Sequence, residues 1–123
     1  MNDQPAPTTN GHPFVQDVVL NELRAYVIPQ LKHRARLIVD IEERKAIGIE
    51  RYGTPLQPFN GRDPLVDCYQ ELIDAAQYAK QRELEAGTCL MRTTWRERHK
   101  AIMVMCDEVA GELEEAEACG IQR

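Results

Sequence analysis

Asp67, Glu71 and Asp74 are spaced i, i+4 and i+7, and Tyr78 continues the row at i+11. At about 100° per residue these four side chains fall within roughly 60° of arc on a helix. Like charges at i,i+4 repel, where an acid–base pair would attract. Stability alone therefore does not select such a row, and a cation would offset it. Mg2+ or Mn2+ suits the ligands, because carboxylate oxygens are hard donors and no Cys or His interrupts the row. The competing reading is a solvated acidic face in a chain whose formal charge is −5.

A second acidic pair stands upstream. Asp40 and Glu43 are three apart, so the pattern reads Asp40-x-x-Glu43, 27 intervening residues, then Glu71-x-x-Asp74. If each pair lies on a helix and the segment between them turns the chain back, the two helices lie antiparallel and the pairs meet. Four carboxylates would then cage one or two Mg2+ ions, with positions left open for water and phosphate oxygens. The alternative is that Asp40 and Glu43 pair with Arg36, Arg44 or Lys45 on the surface.

The elements that must position these acids can be read from punctuation and periodicity. Residues 1–13 are polar, with Pro5 and Pro7, and read as a flexible tail before a helical domain over 14–123. Pro13 opens a first helix from Phe14 to about Val27, near Pro29. A second helix runs from about Gln30 to Arg51 on a stripe of Leu31, Ala35, Ile38, Ile41 and Ile49, and Gly53 stops it. Residues 53–62 form a structured loop, restricted by Pro55 and Pro58 and turned at Asn60-Gly61. Asp63 and Pro64 then supply an N-cap and a first helical residue.

Helix three continues to about Glu85, with Leu65, Cys68, Leu72, Ala75, Ala76 and Ala79 as its packing face. Thr94 to Glu97 fits a capping box opening helix four. Its stripe is Ile102, Cys106, Val109, Leu113 and Ala116. No run sustains period-two alternation, so the expected fold is all-α and four-helix-bundle-like.

Composition narrows the function classes. The acidic balance argues against nonspecific nucleic-acid binding, which needs a basic surface. Cys68, Cys89, Cys106 and Cys119 form no C-x-x-C pair, which predicts free thiols in a reducing cytoplasm. The first residues lack a basic start and an apolar stretch, so no secretory signal is expected. The longest apolar run, Ala101 to Cys106, is too short to span a membrane.

The stretch from Asp40 to about Glu85 resembles the MazG-like all-α nucleoside triphosphate pyrophosphohydrolases, and in particular their small phage-encoded members. The resemblance rests on the two acidic pairs and on E-R-x-x-x-G-x-x-R-Y-G-T-P-L from Glu43, N-G-R-D from Asn60 and E-x-x-D-x-x-x-Y from Glu71. It covers a little over a third of the chain and does not reach residues 1–30 or 90–123. Asp40 stands where the general signature has Glu and is one methylene shorter; Glu42 and Glu50 are the neighbouring acids.

The resemblance implies Mg2+-dependent cleavage of a nucleoside triphosphate between the α and β phosphates, giving a monophosphate and pyrophosphate. Asp40, Glu43, Glu71 and Asp74 would be the metal ligands, with Glu43 or Glu71 as general base and Asp67 as a supporting acid. The resemblance also implies a purine substrate, (d)GTP first among them, a bacterial host cytoplasm, and a homo-oligomer, tetrameric rather than dimeric. Apolar residues on a second flank of helix three, Val66, Ile73 and Leu84, and the stripe of helix four support the oligomer independently.

Arg44, Arg51, Arg62 and Lys80 are candidate phosphate contacts, each with an ordinary surface ion pair as its alternative. Asn60 is a candidate sugar or base contact, or simply a turn former. Phe59, Tyr78 and Trp95 could stack on a base or pack. A ferritin-like di-iron centre is excluded, since His12, His33 and His99 each lack a Glu three residues earlier. A non-enzymatic helical adaptor is the main rival class. A nucleic-acid reader built on Arg92, Arg96, Arg98 and Lys100 around Trp95 ranks behind it.

Overall fold

A computed structural model describes residues 4–120. Residues 1–3 of the expected tail and 121–123 of the expected helical domain lie outside the described residues. The fold is all-α: α1 (Val15–Arg24), α2 (Arg34–Tyr52), α3 (Pro64–Glu85) and α4 (Cys89–Cys119), with no strand among the described residues. The described chain divides into two compact units, residues 4–62 and residues 63–120.

In the first unit α1 packs on α2. Leu20 and Leu23 are the buried residues of α1, and ion pairs tie the helices at Lys45–Asp17 (2.8 Å) and Arg24–Glu42 (2.6 Å). The partners run in opposite order along the two helices, so the pair is antiparallel. α1 stops at Arg24, short of Val27. Tyr26 takes a left-handed φ of 58°, and Arg34 donates to the carbonyls of Leu23 and Ile28 at 2.7 and 2.8 Å. A guanidinium thus satisfies carbonyls that further helix would have used. α2 begins at Arg34 rather than Gln30 and ends as expected, with Gly53 at φ 77° donating its N–H to Ile49 O. None of its residues is buried, and Ala35 and Ile49 of the expected stripe are exposed.

The loop is as structured as its prolines suggest. Thr54, Pro55, Gln57 and Asn60 are buried. It also holds part of the expected tail. Thr8 donates through both its N–H and its hydroxyl to Asn60 O, at 2.8 and 3.0 Å. The Gln57 amide nitrogen donates to the carbonyls of Asn10 and His12, and its oxygen accepts from Asn10 N–H. These bonds pin residues 8–12, where a free tail is the sequence expectation.

In the second unit α3 and α4 form an antiparallel hairpin. Arg92 reaches Ala86 O, Arg96 reaches Glu83 and His99 meets Ala76 O. Asp63 Oδ1 accepts from Leu65 N–H at 3.0 Å, the predicted cap, with Pro64 following it. Val66, Ala76, Ala79, Cys106 and Leu113 are the buried apolar residues of these helices. Val66 therefore belongs to the core rather than to an outer flank, while Cys68 is exposed and leaves the predicted packing face.

α4 opens at Cys89, not Thr94. Thr88 is its cap, accepting from Met91 N–H at 3.1 Å, and the Thr94 hydroxyl donates back to Leu90 O at 2.9 Å. The predicted capping box is the second turn of a longer helix. All four cysteines are free. Among the described residues, no helix is long and apolar enough to cross a membrane.

Candidate functional site

The acidic pairs fall one in each unit. On α3, Glu71 and Asp74 are exposed, one turn apart on the predicted face, with no ion-pair partner among the described residues. Asp67 is half-buried one turn earlier and engaged in further interactions. Tyr78 is 67% exposed and continues the row. Residues 63–79 hold Asp63, Asp67, Glu71 and Asp74 and no Lys or Arg, so the row has no internal counter-charge.

On α2 the second pair is divided in its engagements. Asp40 Oδ2 accepts from Arg36 Nε at 2.9 Å, the surface i,i+4 pair that competes with metal binding. Glu43 is exposed and unpaired among the described residues. Glu42, a neighbouring acid, is taken by Arg24. Within either unit, among the described residues, no three His, Cys, Asp or Glu side chains converge on one point. Each pair alone therefore presents two carboxylates, a partial set for an octahedral ion, which keeps several waters in any case. The donors fit Mg2+ or Mn2+ by type, being oxygen only.

The candidate phosphate contacts sort by engagement. Arg44 is exposed with no partner among the described residues. The Arg51 guanidinium lies 5.9 Å from the Tyr52 ring centre. Arg62 donates to Pro5 O at 2.8 Å and makes further interactions. Lys80 is bonded to Glu83 at 2.6 Å. Asn60 is buried, and its side-chain oxygen accepts from Arg62 N–H at 3.1 Å, the turn-forming role. Phe59 is 82% exposed at a left-handed φ of 56°, against His12. Trp95 is half-buried, with the guanidinium carbons of Arg98 and Arg82 at 4.5 and 5.9 Å from its ring centre.

Glu83 is the acid that sequence reasoning passed over. It is 7% exposed and accepts from Lys80 and, at 3.3 Å, from Arg96 of α4. The Lys80 hydrogen bond, assisted by Arg96, holds its carboxyl below the ordinary value near 4.5 against the opposing effect of burial. Its position was readable: Leu72, Ala76, Ala79 and Glu83 continue one face at spacings of four, three and four. A groove of about 570 Å3 runs beside it between α3 and α4, lined by Ile73, Ala76, Leu84, His99 and Met103 among others, and excludes Glu71 and Asp74. Compared with family models, curated proteins and solved structures, the chain matches none.

Proposed function

We propose that the chain is a divalent-metal-dependent nucleoside triphosphate pyrophosphohydrolase, cutting a (d)NTP to (d)NMP and pyrophosphate. The observation that carries this reading is the stretch of α3 without Lys or Arg, where Glu71 and Asp74 stand exposed and unpaired among the described residues. Surface carboxylates kept for solubility can pair with nearby Lys or Arg at little cost; here none is supplied over residues 63–79.

Glu71 and Asp74 of α3 would hold Mg2+ or Mn2+; the motif resemblance adds Asp40 and Glu43 of α2 as ligands, of which Asp40 is bonded to Arg36. Bound there, the ion supplies charge neutralisation, polarisation of the phosphoryl group and a lowered pKa for coordinated water. Glu43 or Glu71, whichever carboxylate keeps a free oxygen, accepts the proton of the attacking water. Arg44 is free to meet phosphate oxygens bidentately, and Tyr78 offers an exposed ring to a base along the same row. The purine preference, (d)GTP first, rests on the motif resemblance. A homo-oligomer, tetrameric rather than dimeric, belongs to the same reading.

The test is a panel of ribo- and deoxyribonucleotides incubated with Mg2+ or Mn2+, with products separated by anion exchange. Monophosphate and pyrophosphate from a purine nucleotide are expected, and a preference for dUTP or dCTP would overturn the base assignment. No turnover with either metal would favour the adaptor reading. One observation suits that reading: α2 buries no residue, and Leu37, Val39, Ile47 and Ile49 are exposed along it.

A further inference from the structure

The α3–α4 hairpin is segregated by charge. Residues 63–79 and 101–119 carry ten Asp and Glu and no Lys or Arg, whereas residues 80–100 carry six Lys and Arg and three Glu. Because the helices are antiparallel, both acidic stretches lie at one end and the basic stretch at the other. On α4 the order opposes the helix macrodipole. Its first turn holds no acid and its last turn no base, while cations cluster toward the N-terminus and carboxylates toward the C-terminus. Near the two ends of the helix, where the dipole acts, such placements are unfavourable.

The sign changes between Lys100 and Asp107. That midpoint carries three exposed apolar side chains, Met103 (45%), Val104 (58%) and Met105 (43%). Val104 lies about 180° around the helix from buried Leu113 and about 200° from buried Cys106, so it points away from the hairpin core. Through it runs the i±4 row Arg96, Lys100, Val104, Glu108 and Glu112, all exposed. The row reads positive, positive, apolar, negative, negative over about 24 Å. Read backwards, it is its own complement.

We infer that α4 docks antiparallel on α4 of a second copy of this chain, with a two-fold axis at Val104. Antiparallel packing of i±4 ridges is a common helix-crossing mode, and a two-fold contact requires one patch to complement itself. Val104 and its methionine neighbours form the apolar centre, and the charges form the rim. Lys100, about 40° round the helix from Val104, then faces Glu108 of the second copy, twice over by symmetry, while Arg96 and Glu112, each about 80° from Val104, sit at the rim of the contact. Arg96 keeps nitrogens for this role, because only its Nε is bonded to Glu83; Lys100 meets Glu97 only at 3.4 Å and is 64% exposed. The contact also sets each acid-rich half of α4 beside a cation-rich half, relieving the reversed dipole order. This proposal names an interface for the oligomer and does not depend on nucleotide hydrolysis.

Sedimentation velocity of the full chain at micromolar concentration tests it with four samples: wild type, Arg96→Glu/Lys100→Glu, Glu108→Lys/Glu112→Lys, and an equimolar mixture of the two variants. Wild type is expected to associate. Each variant alone, with a single-signed row, should associate at least about tenfold more weakly and lose this interface. The mixture should recover the wild-type mass, because its rows are complementary at every charged position, and recovery also shows that both variants fold. Lys100→Glu with Glu108→Lys repeats the exchange without touching the partner of Glu83. A wild-type monomer would overturn both the oligomer and this interface. A wild-type oligomer whose mass neither variant changes, or a mixture that fails to recover, would overturn the interface alone.

Discussion

Glu83 and Glu71 are glutamates of one helix, and their surroundings give them opposite work. Glu83 is buried and held by Lys80 and Arg96, so Glu83→Gln should destabilise the hairpin while leaving any exposed site untouched. Its folded pKa lies below the ordinary 4.5. The unfolded chain therefore takes up the proton first as pH falls. The stability Glu83 contributes is fully present above about 4.5 and is lost as pH drops through its lower folded value. Urea midpoints measured across that window should fall more steeply for wild type than for Glu83→Gln. Glu71→Gln and Asp74→Asn should instead cut turnover by more than about a hundredfold with unchanged helicity, since they remove metal charge and no packing, while Asp67→Asn should cost about 10- to 100-fold at most. Equal activity of Glu71→Gln and wild type would remove the proposed metal ligand. The acid row was legible because a 3.6-residue period needs only one helix to display it. The place of Glu83 on the packing face was legible in the same way, but its full set of partners was not, because Arg96 joins Lys80 from the other arm of the hairpin.

Helix boundaries were legible where the deciding chemistry is local. Asp63-Pro64 starts α3 and Gly53 ends α2 as read, each through a cap within a few residues of the boundary. At Gly53 the φ of 77° disfavours any Cβ, so Gly53→Ala should cost about 1–2 kcal/mol although the space around it is open. The start of α4 was misread because Thr94-Trp95-Arg96-Glu97 imitates a capping box, while the working cap, Thr88, precedes Cys, Leu and Met with no acid at the third position. The two threonines can be told apart: Thr88→Ala should lower stability by about 1 kcal/mol, and Thr94→Ala should stay within about 0.5 kcal/mol. The reverse order would restore the shorter helix. α1 ends early for a reason no local pattern announces, the reach of Arg34 back to the Leu23 and Ile28 carbonyls.

At the scale of the whole molecule, all-α architecture followed from periodicity alone, whereas the pinning of residues 8–12 by Gln57 and Asn60 needed three dimensions. Charge is segregated along the hairpin: residues 63–79 and 101–119 carry no Lys or Arg, where the proposed function places a divalent ion, and the row from Arg96 to Glu112 on α4 is the one proposed to meet a second copy. With no residue of α2 fully buried and Leu84, Leu90 and Val104 exposed, the described chain carries more apolar surface than scattered exposure requires, which supports the proposed assembly. The central claim is chemical, and pyrophosphate release tests it most directly. With a purine (d)NTP and Mg2+, wild type should release one pyrophosphate for each monophosphate formed, and chelating the metal or substituting Glu71→Gln should abolish it. Orthophosphate with a nucleoside diphosphate, or release that persists without metal, would contradict it.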